Sequence, residues 1–397
     1  MTSLHWVARA LLLLSPTLGG CSSKAIDDGE SNAPGASELG LGDGTLDSVS
    51  LTELFRPNGN VPLSATDLAF NGAVTGELWV TLRQFPSGEK CVDPMEVEVD
   101  EATNNRACAA LPGVAAIISD APGTPSASIK EDGNSWHFMR RPVAIAWGEA
   151  DLFGSCGESF TDNYEHIDVP YAGPVLWSSD PTIFGVEPLR GQNGTHLDML
   201  HETPLCMGIA HESGNAYWTF NGDVGSLDRY DFHTPHQIGG EDHADGEVFR
   251  YVRGELLRVA EVPSHLVWDA ARSLVYVADT GHQRLLRIDP GTATRGGAIT
   301  TYEELHDSGE MVGAEVTELV PAGLFEAPSG VALSGQTIYV TDNATSHIYA
   351  FDLEGQLLLA FDTGLPAGSL AGITIGPDKK VYFTDMLTGA VVRIDAI

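Results

Sequence analysis

The segment 229–247 concentrates side chains that are suited to binding a metal ion. It holds three histidines and five acidic residues, interrupted by a proline and a pair of glycines. Zinc, copper and calcium accept imidazole nitrogens or carboxylate oxygens as ligands. We therefore predict a metal site from His236, Asp242, His243 and Asp245. Because the spacing matches no standard site, a hydrated acidic loop with turn-forming aspartates remains the alternative.

A second candidate metal site depends on the starts of short apolar strands. His265 opens the run Leu266-Val267-Trp268, and Asp67 opens a similar run in the first part of the chain. If such strands line one channel, Asp67 and His265 lie across it from each other, with His201 in the same register nearby. A histidine among carboxylates at a channel mouth could bind a divalent cation, zinc or calcium.

Other kinds of catalytic chemistry have little support in the sequence. There is no Gly-x-Ser-x-Gly nucleophile turn and no phosphate-binding glycine loop of the Walker type. No motif therefore predicts a nucleophile or a nucleotide cofactor.

The strands that must position these residues belong to a sequence repeat. Three stretches each contain an apolar run ending in Asp, a short turn, and a second run ending in Asp. They are 275–289, 338–352 and 381–395. Alternating runs joined by a tight turn predict pairs of antiparallel strands. The repeated aspartates, Asp279, Asp342 and Asp385, are best explained as turn residues that accept hydrogen bonds from their own loops.

Another apolar strand precedes each pair, and it recurs further back along the chain. The six copies are 66–70, 142–147, 207–211, 263–268, 328–333 and 371–375. Six such units predict an all-β protein of six four-stranded antiparallel blades arranged radially around a channel. The sixth unit lacks a fourth strand, which 49–55 could supply from the N-terminal side to close the ring. We expect long insertions in units one to three, near 85–135, 155–200 and 233–246, and compact later units.

The phrase Val277-Ala278-Asp279-Thr280-Gly281-His282-Gln283-Arg284-Leu285-Leu286-Arg287-Ile288-Asp289 resembles an NHL repeat. The resemblance implies a six-bladed NHL-type β-propeller over 46–397, clearest in 204–397. Such propellers serve as binding platforms, lactonases and lyases. The related peptide-amidating lyase holds zinc through histidines that follow proline at the starts of several inner strands. Here Pro263-Ser264-His265 is one approximate match, and the equivalent positions are Asp67, Ala144, Gly208, Gly330 and Gly372.

The charge balance of the chain limits its partners. Acidic residues outnumber basic residues by 55 to 21, which gives a formal net charge of −34. Such a surface repels phosphate backbones, so nucleic acid is not an expected partner. Cations, basic peptides or solubility in salt explain the acidity better.

The first residues are typical of an export signal. An apolar run of alanine and leucines follows Arg9, and Leu18-Gly19-Gly20-Cys21 then resembles a bacterial lipobox. We predict a signal peptide at 1–20, a lipid anchor on Cys21 and a flexible tether over 21–45. A lipid-anchored protein of the cell envelope, at the outer membrane or periplasmic face, is the location this indicates.

Four further cysteines are expected to form disulfides. An even number of cysteines in an exported chain favours two disulfides. Of the three possible pairings we favour Cys91–Cys108, within one loop, and Cys156–Cys206, between neighbouring repeats.

Taken together, these features predict a monomeric binding or scaffolding module that acts through its loop-rich rims on a protein or small-molecule ligand. The alternative is a metal-dependent lyase or hydrolase with its site at the channel mouth.

Overall fold

The computed structural model describes Leu39 and residues 44–58, 63–84, 113–149, 151–161, 169–186 and 193–397. Six sheets are present, as the repeat predicts, and they form the blades of a propeller. The four strands that make up each blade pair antiparallel with one another. The predicted signal peptide, Cys21, most of the tether, and Cys91 with Cys108 lie outside the described residues.

Each of the first three blades is built from strands in chain order, innermost strand first. Blade 1 contains β2 (Leu63–Phe70), β3 (Leu78–Gln84), β4 (Gly113–Ser119) and β5 (Ser126–Lys130). Blade 2 contains β6 (Pro142–Trp147), β7 (Leu152–Gly157), β8 (Val175–Ser178) and β9 (His196–Met199). Blade 3 begins with β10 (Cys206–Ser213), β11 (Ala216–Asn221), β12 (Ser226–Asp231) and β13 (Glu247–Tyr251).

The later blades follow the repeats most closely. Blade 4 contains β14 (Leu266–Asp269), β15 (Leu274–Asp279), β16 (Arg284–Asp289) and β19 (Glu315–Val320). Blade 5 contains β20 (Pro328–Ser334), β21 (Thr337–Asp342), β22 (His347–Asp352) and β23 (Leu357–Asp362). Blade 6 contains β24 (Leu370–Ile375), β25 (Val381–Asp385) and β26 (Ala390–Ala396). The described helices are short: α1 (Ser135–Phe138) and 3₁₀ turns at Leu46–Ser48, Thr280–His282 and Pro290–Thr292.

The hydrophobic core of the described residues lies between the blades. Its clusters each combine side chains from two neighbouring sheets, so both faces of a blade are apolar. The tyrosines of the repeated phrase, Tyr276, Tyr339 and Tyr382, are fully buried there. The predicted turn role is confirmed for Asp342 and Asp385: Asp342 Oδ1 accepts the backbone N–H groups of Ala344 and Thr345, and Asp385 Oδ1 accepts that of Leu387. Asp279 differs, because its Oδ1 accepts the Leu257 N–H of another connection.

The ring closes as the sequence predicts, because strand β1 (Val49–Phe55) is the fourth strand of blade 6. It pairs antiparallel with β26, from Val49 opposite Ala396 to Phe55 opposite Val391. The Thr52 hydroxyl also donates to Asp395 at 2.6 Å. The closing strand covers an edge that would otherwise be free to pair with other chains.

Blade 4 departs from the expectation that the later units are compact. The connection between β16 and β19 carries a hairpin, β17 (Thr294–Arg295) and β18 (Asp307–Val312). Strand β18 pairs in parallel with β13 and extends blade 3 to six strands. Arg295 and Asp307 form two contacts of 2.6 Å inside the hairpin. An insertion from one blade therefore covers the outer edge of its neighbour.

Blades 2 and 3 are also joined covalently. Cys156 in β7 and Cys206 in β10 form the predicted disulfide, with their Cα atoms 5.8 Å apart. None of the helices in the described part of the chain is long and apolar enough to span a membrane.

Candidate functional site

A funnel of about 250 Å³ occupies the centre of the propeller. All six innermost strands contribute to its wall, through the segments 67–69, 145–147, 209–211, 265–268, 331–333 and 373–375. Exposure rises toward the carboxyl ends of five of these six strands, so the funnel opens at that end. Half-buried Trp147 and Trp268 lie at this open end, with His211, whose Nε2 donates to the Gly214 carbonyl oxygen.

Asp67 and His265 meet at the narrow end of the funnel. Their closest atoms, Asp67 Oδ1 and His265 Nδ1, are 3.5 Å apart, and both side chains are buried. The equivalent positions in three other blades are glycines, and two of them, Gly208 and Gly372, lie directly against His265 and Asp67 and leave room for this pair. At Gly372, for example, an added Cβ would lie 2.6 Å from the Asp67 backbone. The predicted placement of this pair across the channel is therefore what the structure shows.

Hydrogen bonds tie the pair to blade 2. His265 Nε2 lies 2.9 Å from the Val143 carbonyl oxygen, so this nitrogen carries a proton. Asp67 Oδ2 accepts the Ile145 backbone N–H, and Oδ1 accepts that of Leu68. Burial raises the pKa of Asp67, and the facing His265 opposes that rise.

The pair holds blades 1, 2 and 4 together, but it does not form the metal site predicted from Asp67, His201 and His265. Within the described part of the chain, no third histidine, cysteine or carboxylate side chain lies at ligand distance from the pair. His201 lies elsewhere: its Nδ1 contacts Glu303, and its ring stacks on Tyr171 at 3.7 Å. A metal-dependent lyase or hydrolase at this point would lack the three ligands that such sites use.

A charged cap lies on the side of the amino ends of the innermost strands, opposite the open end of the funnel. We use this name for Arg83, Arg141, Glu158, Arg258 and Glu261, which come from blades 1 and 2 and from the connection before blade 4. Glu158 is 0% exposed. Its carboxylate contacts Arg83 at 3.1 Å, Arg258 at 2.7 Å and Arg141 at 3.5 Å. Glu261 contacts Arg141 and also Arg83, the latter at 2.7 Å.

The histidine-rich segment folds back onto the edge of blade 2. Its backbone is held there by two hydrogen bonds, from His236 N to Leu197 O at 3.0 Å and from Gly239 N to His196 O at 2.9 Å. His236 and His243 meet Asp198 of β9, and one ligand atom from each lies within 4.8 Å of the others. Two of the four residues predicted for this site, His236 and His243, therefore come together.

Asp242 and Asp245 do not join them. Asp242 is exposed and accepts the Ala244 N–H, and Asp245 accepts the Thr234 N–H. Both carboxylates shape the turns of the loop, which is the alternative that the composition left open. Asp198 takes their place as the acidic partner, with its Oδ1 atom 2.8 Å from His243 Nδ1.

Further histidines surround this group. His196 lies with its ring 4.9 Å from that of His236, and the ring of His201 is 6.4 Å from that of His243. Burial lowers the pKa of both His196 and His201 to about 3, so both rings are neutral at physiological pH. Burial acts to lower the pKa of His243, but the hydrogen bond and charge of Asp198 outweigh this effect and raise it. The group thus combines two neutral neighbouring rings with a hydrogen-bonded pair of His243 and Asp198.

A second, smaller cavity of about 190 Å³ lies near Glu202 and Tyr302. Glu202 is 2% exposed and accepts the Tyr302 N–H at 2.7 Å. Burial raises the pKa of Glu202 to about 8, and the neighbouring Glu303 adds to this rise. Burial also raises the pKa of Glu303. A carboxyl group that holds its proton near neutral pH is therefore enclosed between blade 3 and the insertion from blade 4.

Comparison with known proteins bears on the repeats. No family model matches the chain. A stretch of 130 residues, 32% of the chain, is 29% identical to NHL repeat-containing protein 2 of Bos taurus. The chain carries NHL-type repeats. It spans only 17% of the length of that relative, so the activity of the whole relative does not transfer to this NHL propeller.

Two solved structures resemble the NHL propeller in fold. One is an auxiliary nutrient binding protein from Bacteroides thetaiotaomicron, with a TM-score of 0.51 and 11% identity, covering 87% of this chain and 75% of that one. The other is an auxiliary nutrient binding protein from Bacteroides ovatus, with a TM-score of 0.52 and 10% identity, covering 88% and 77%. Identities this low show a shared fold alone.

Sequence reasoning missed several functional candidates in the NHL propeller. Asp198 lies two residues after His196 in β9, so both project from one face of the strand. That spacing, close to His201, is a signal that could have been noticed. Glu158 and Glu202 carry no such signal, because their partners come from distant connections between blades.

Proposed function

We propose that the protein is a binding module that takes a small ligand with an apolar face into the funnel. The observation that carries this proposal is the convergence of all six innermost strands on one open cavity with two tryptophans at its mouth. Ligand sites are typically concave and apolar, with a few convergent polar groups. Here the polar groups at the narrow end are Asp67 and His265.

Charge restricts the ligand further. Among the described residues, the funnel wall contains no lysine or arginine, and its ionisable side chains are Asp67, His211 and His265. The whole chain carries a formal charge of −34. An anionic ligand would meet repulsion without a compensating cation, so a neutral or cationic ligand is the better fit. The two fold relatives that are described as nutrient binding proteins support a binding role of this general class.

Substituting Trp268 by alanine tests the funnel. Thermal unfolding in the presence of neutral and cationic compounds with an apolar face, such as oligosaccharides, aromatic amines and short basic peptides, should identify a ligand that stabilises the wild type. Calorimetry should then show an affinity about tenfold lower for Trp268→Ala, because one aromatic contact of about 1.4 kcal/mol is lost.

Leu387→Ala is the matched control for this experiment. Leu387 is 59% exposed in the turn between β25 and β26, and it is not part of the funnel wall. The control should bind as the wild type does. Equal binding by Trp268→Ala, or stabilisation by anionic compounds alone, would contradict the proposal.

We propose in addition that the protein is held at the cell envelope through a lipid on Cys21. This rests on the lipobox-like sequence Leu18-Gly19-Gly20-Cys21 alone. Cys21→Ala should move the protein from the membrane fraction to the soluble fraction of a bacterial host, since no acyl chain would remain to enter the bilayer. Membrane retention of the variant would count against the anchor.

A further inference from the structure

We propose that Asp198, His236 and His243 bind a Zn²⁺-like divalent cation, which fastens the outer connection of blade 3 to the edge of blade 2. This site lies away from the funnel and is independent of the binding function proposed above. Its ligands come from two elements, strand β9 and the loop between β12 and β13, that are adjacent only in the folded chain.

The geometry of the three side chains carries the proposal. One ligand atom from each lies within 4.8 Å of the other two, which is close enough for all three to surround one ion after small side-chain adjustments. The backbone hydrogen bonds of His236 and Gly239 to β9 fix the loop in place. A cation would therefore bind a largely preformed set of ligands.

His236 supplies a second, independent observation. Its Nδ1 lies 2.6 Å from the Gln237 carbonyl oxygen, so Nδ1 carries the proton and Nε2 presents a lone pair. Nε2 is buried and has no hydrogen-bond partner among the described residues. Metal-binding histidines are commonly oriented in this way, with one nitrogen donating to a carbonyl group and the other free to bind the ion. A buried acceptor without a partner is costly, and a cation would remove that cost.

The ligand types favour zinc over calcium. Two imidazoles and one carboxylate match the mixed nitrogen and oxygen sites of zinc, whereas calcium takes six to eight oxygen ligands. The side chain of Asp198 is 1% exposed. Among the described residues, Asp198 Oδ1 accepts from His243 and from the Met199 N–H, and a cation would compensate the carboxylate charge further. Three protein ligands leave one tetrahedral position for water.

Metal binding by the purified protein tests this proposal. The purified protein is freed of metal with a chelator and titrated with zinc chloride by calorimetry, and its metal content is measured after gel filtration. We expect about one equivalent of Zn²⁺ per chain and a rise in melting temperature on loading. Substituting Co²⁺ should give the visible absorption of a four-coordinate site.

Variants identify the ligands. His236→Ala and His243→Ala should each lower zinc affinity by more than about tenfold. If either alanine variant fails to fold, the zinc affinity of His236→Gln and the ratio of zinc to wild-type chain still test the proposal. His233→Ala and Asp242→Asn are matched controls, since both residues belong to the same loop and lie outside the group of three. Both controls should bind zinc as the wild type does.

Two results would overturn the proposal. One is the absence of stoichiometric zinc binding by the wild type in the micromolar range. The other is a loss of affinity in His233→Ala or Asp242→Asn as large as that in the ligand variants, which would indicate adventitious binding to an acidic loop.

Discussion

Replacing Glu158 by alanine should lower the free energy of unfolding by about 3–5 kcal/mol, the usual cost of removing one partner from a buried ion pair. Glu158 is the central anion of the charged cap. It is fully buried, and its carboxylate contacts Arg83, Arg141 and Arg258. Its two oxygens also lie 3.1 and 3.2 Å from the Glu261 N–H. Without Glu158, three guanidinium groups would share the single carboxylate of Glu261.

Arg83 shows how finely these charges are balanced. Burial lowers the pKa of its guanidinium, Arg141 lowers it further, and Glu158 and Glu261 act against both effects. Removing one of the two carboxylates therefore leaves a buried cation insufficiently compensated. Glu158→Gln, which keeps the shape and loses the charge, should also destabilise the protein, though less than alanine because its amide oxygen can still accept hydrogen bonds.

Equilibrium unfolding in urea measures this effect. Glu53→Ala is the control: Glu53 pairs with Arg56 at 2.6 Å, but both side chains are nearly half exposed. Exposed pairs contribute about 0–1 kcal/mol, so the control should change stability little. If Glu158→Ala and Glu53→Ala lowered the free energy of unfolding by similar amounts, the buried ion pairs of Glu158 would contribute no more to stability than an exposed pair does, and the prediction would be wrong.

Replacing Glu202 by glutamine should make the protein more stable than the wild type at alkaline pH and nearly equal to it in acid. Burial raises the pKa of Glu202 to about 8, well above its value in an unfolded chain. The folded state therefore binds a proton that the unfolded state releases. The stabilisation that this proton binding gives to the folded state is present in full below the pKa of Glu202 in the unfolded chain. It is lost as pH rises toward 8. Glutamine cannot ionise, so the variant escapes this loss.

The expected difference is on the order of 2–4 kcal/mol between about pH 5 and about pH 8, at roughly 1.4 kcal/mol per pKa unit. Glutamine can still accept the Tyr302 N–H, which is bound to Glu202 at 2.7 Å. Urea unfolding of both proteins across this pH range gives the measurement, with Glu304→Gln at an exposed neighbouring position as the control. A stability difference that stays constant with pH would refute the prediction.

The part of the fold that could be predicted from the sequence consists of the strands of the repeat. Paired strands such as Thr337–Asp342 and His347–Asp352 fall within a residue of their predicted bounds, because the alternation of side chains fixes which residues face the core. The closing strand could also be predicted, since one blade lacked a partner and Val49–Phe55 had the right alternation.

The remainder could not be predicted because it arises between blades. The hairpin from blade 4 has no repeat pattern, and its parallel pairing with β13 depends on the path of a long connection. For the same reason, the sequence of the histidine-rich segment could reveal only His236 and His243 as members of the candidate metal site. The third member, Asp198, belongs to blade 2. Asp67 and His265 were found because both break the repeat at a position where other blades have small residues.

The closing of blade 6 has a consequence for how the protein acquires its structure. Thr52 and Asp395, which are bonded across this seam, are 343 positions apart in the chain. Bringing such distant segments together carries a large entropic cost, and contacts of this range slow folding. We expect β1 to remain unpaired during synthesis until β26 has been synthesised. Closure of the ring between β1 and β26 is therefore the last step of folding. Until then both edges are free, and chaperone binding or aggregation competes with closure.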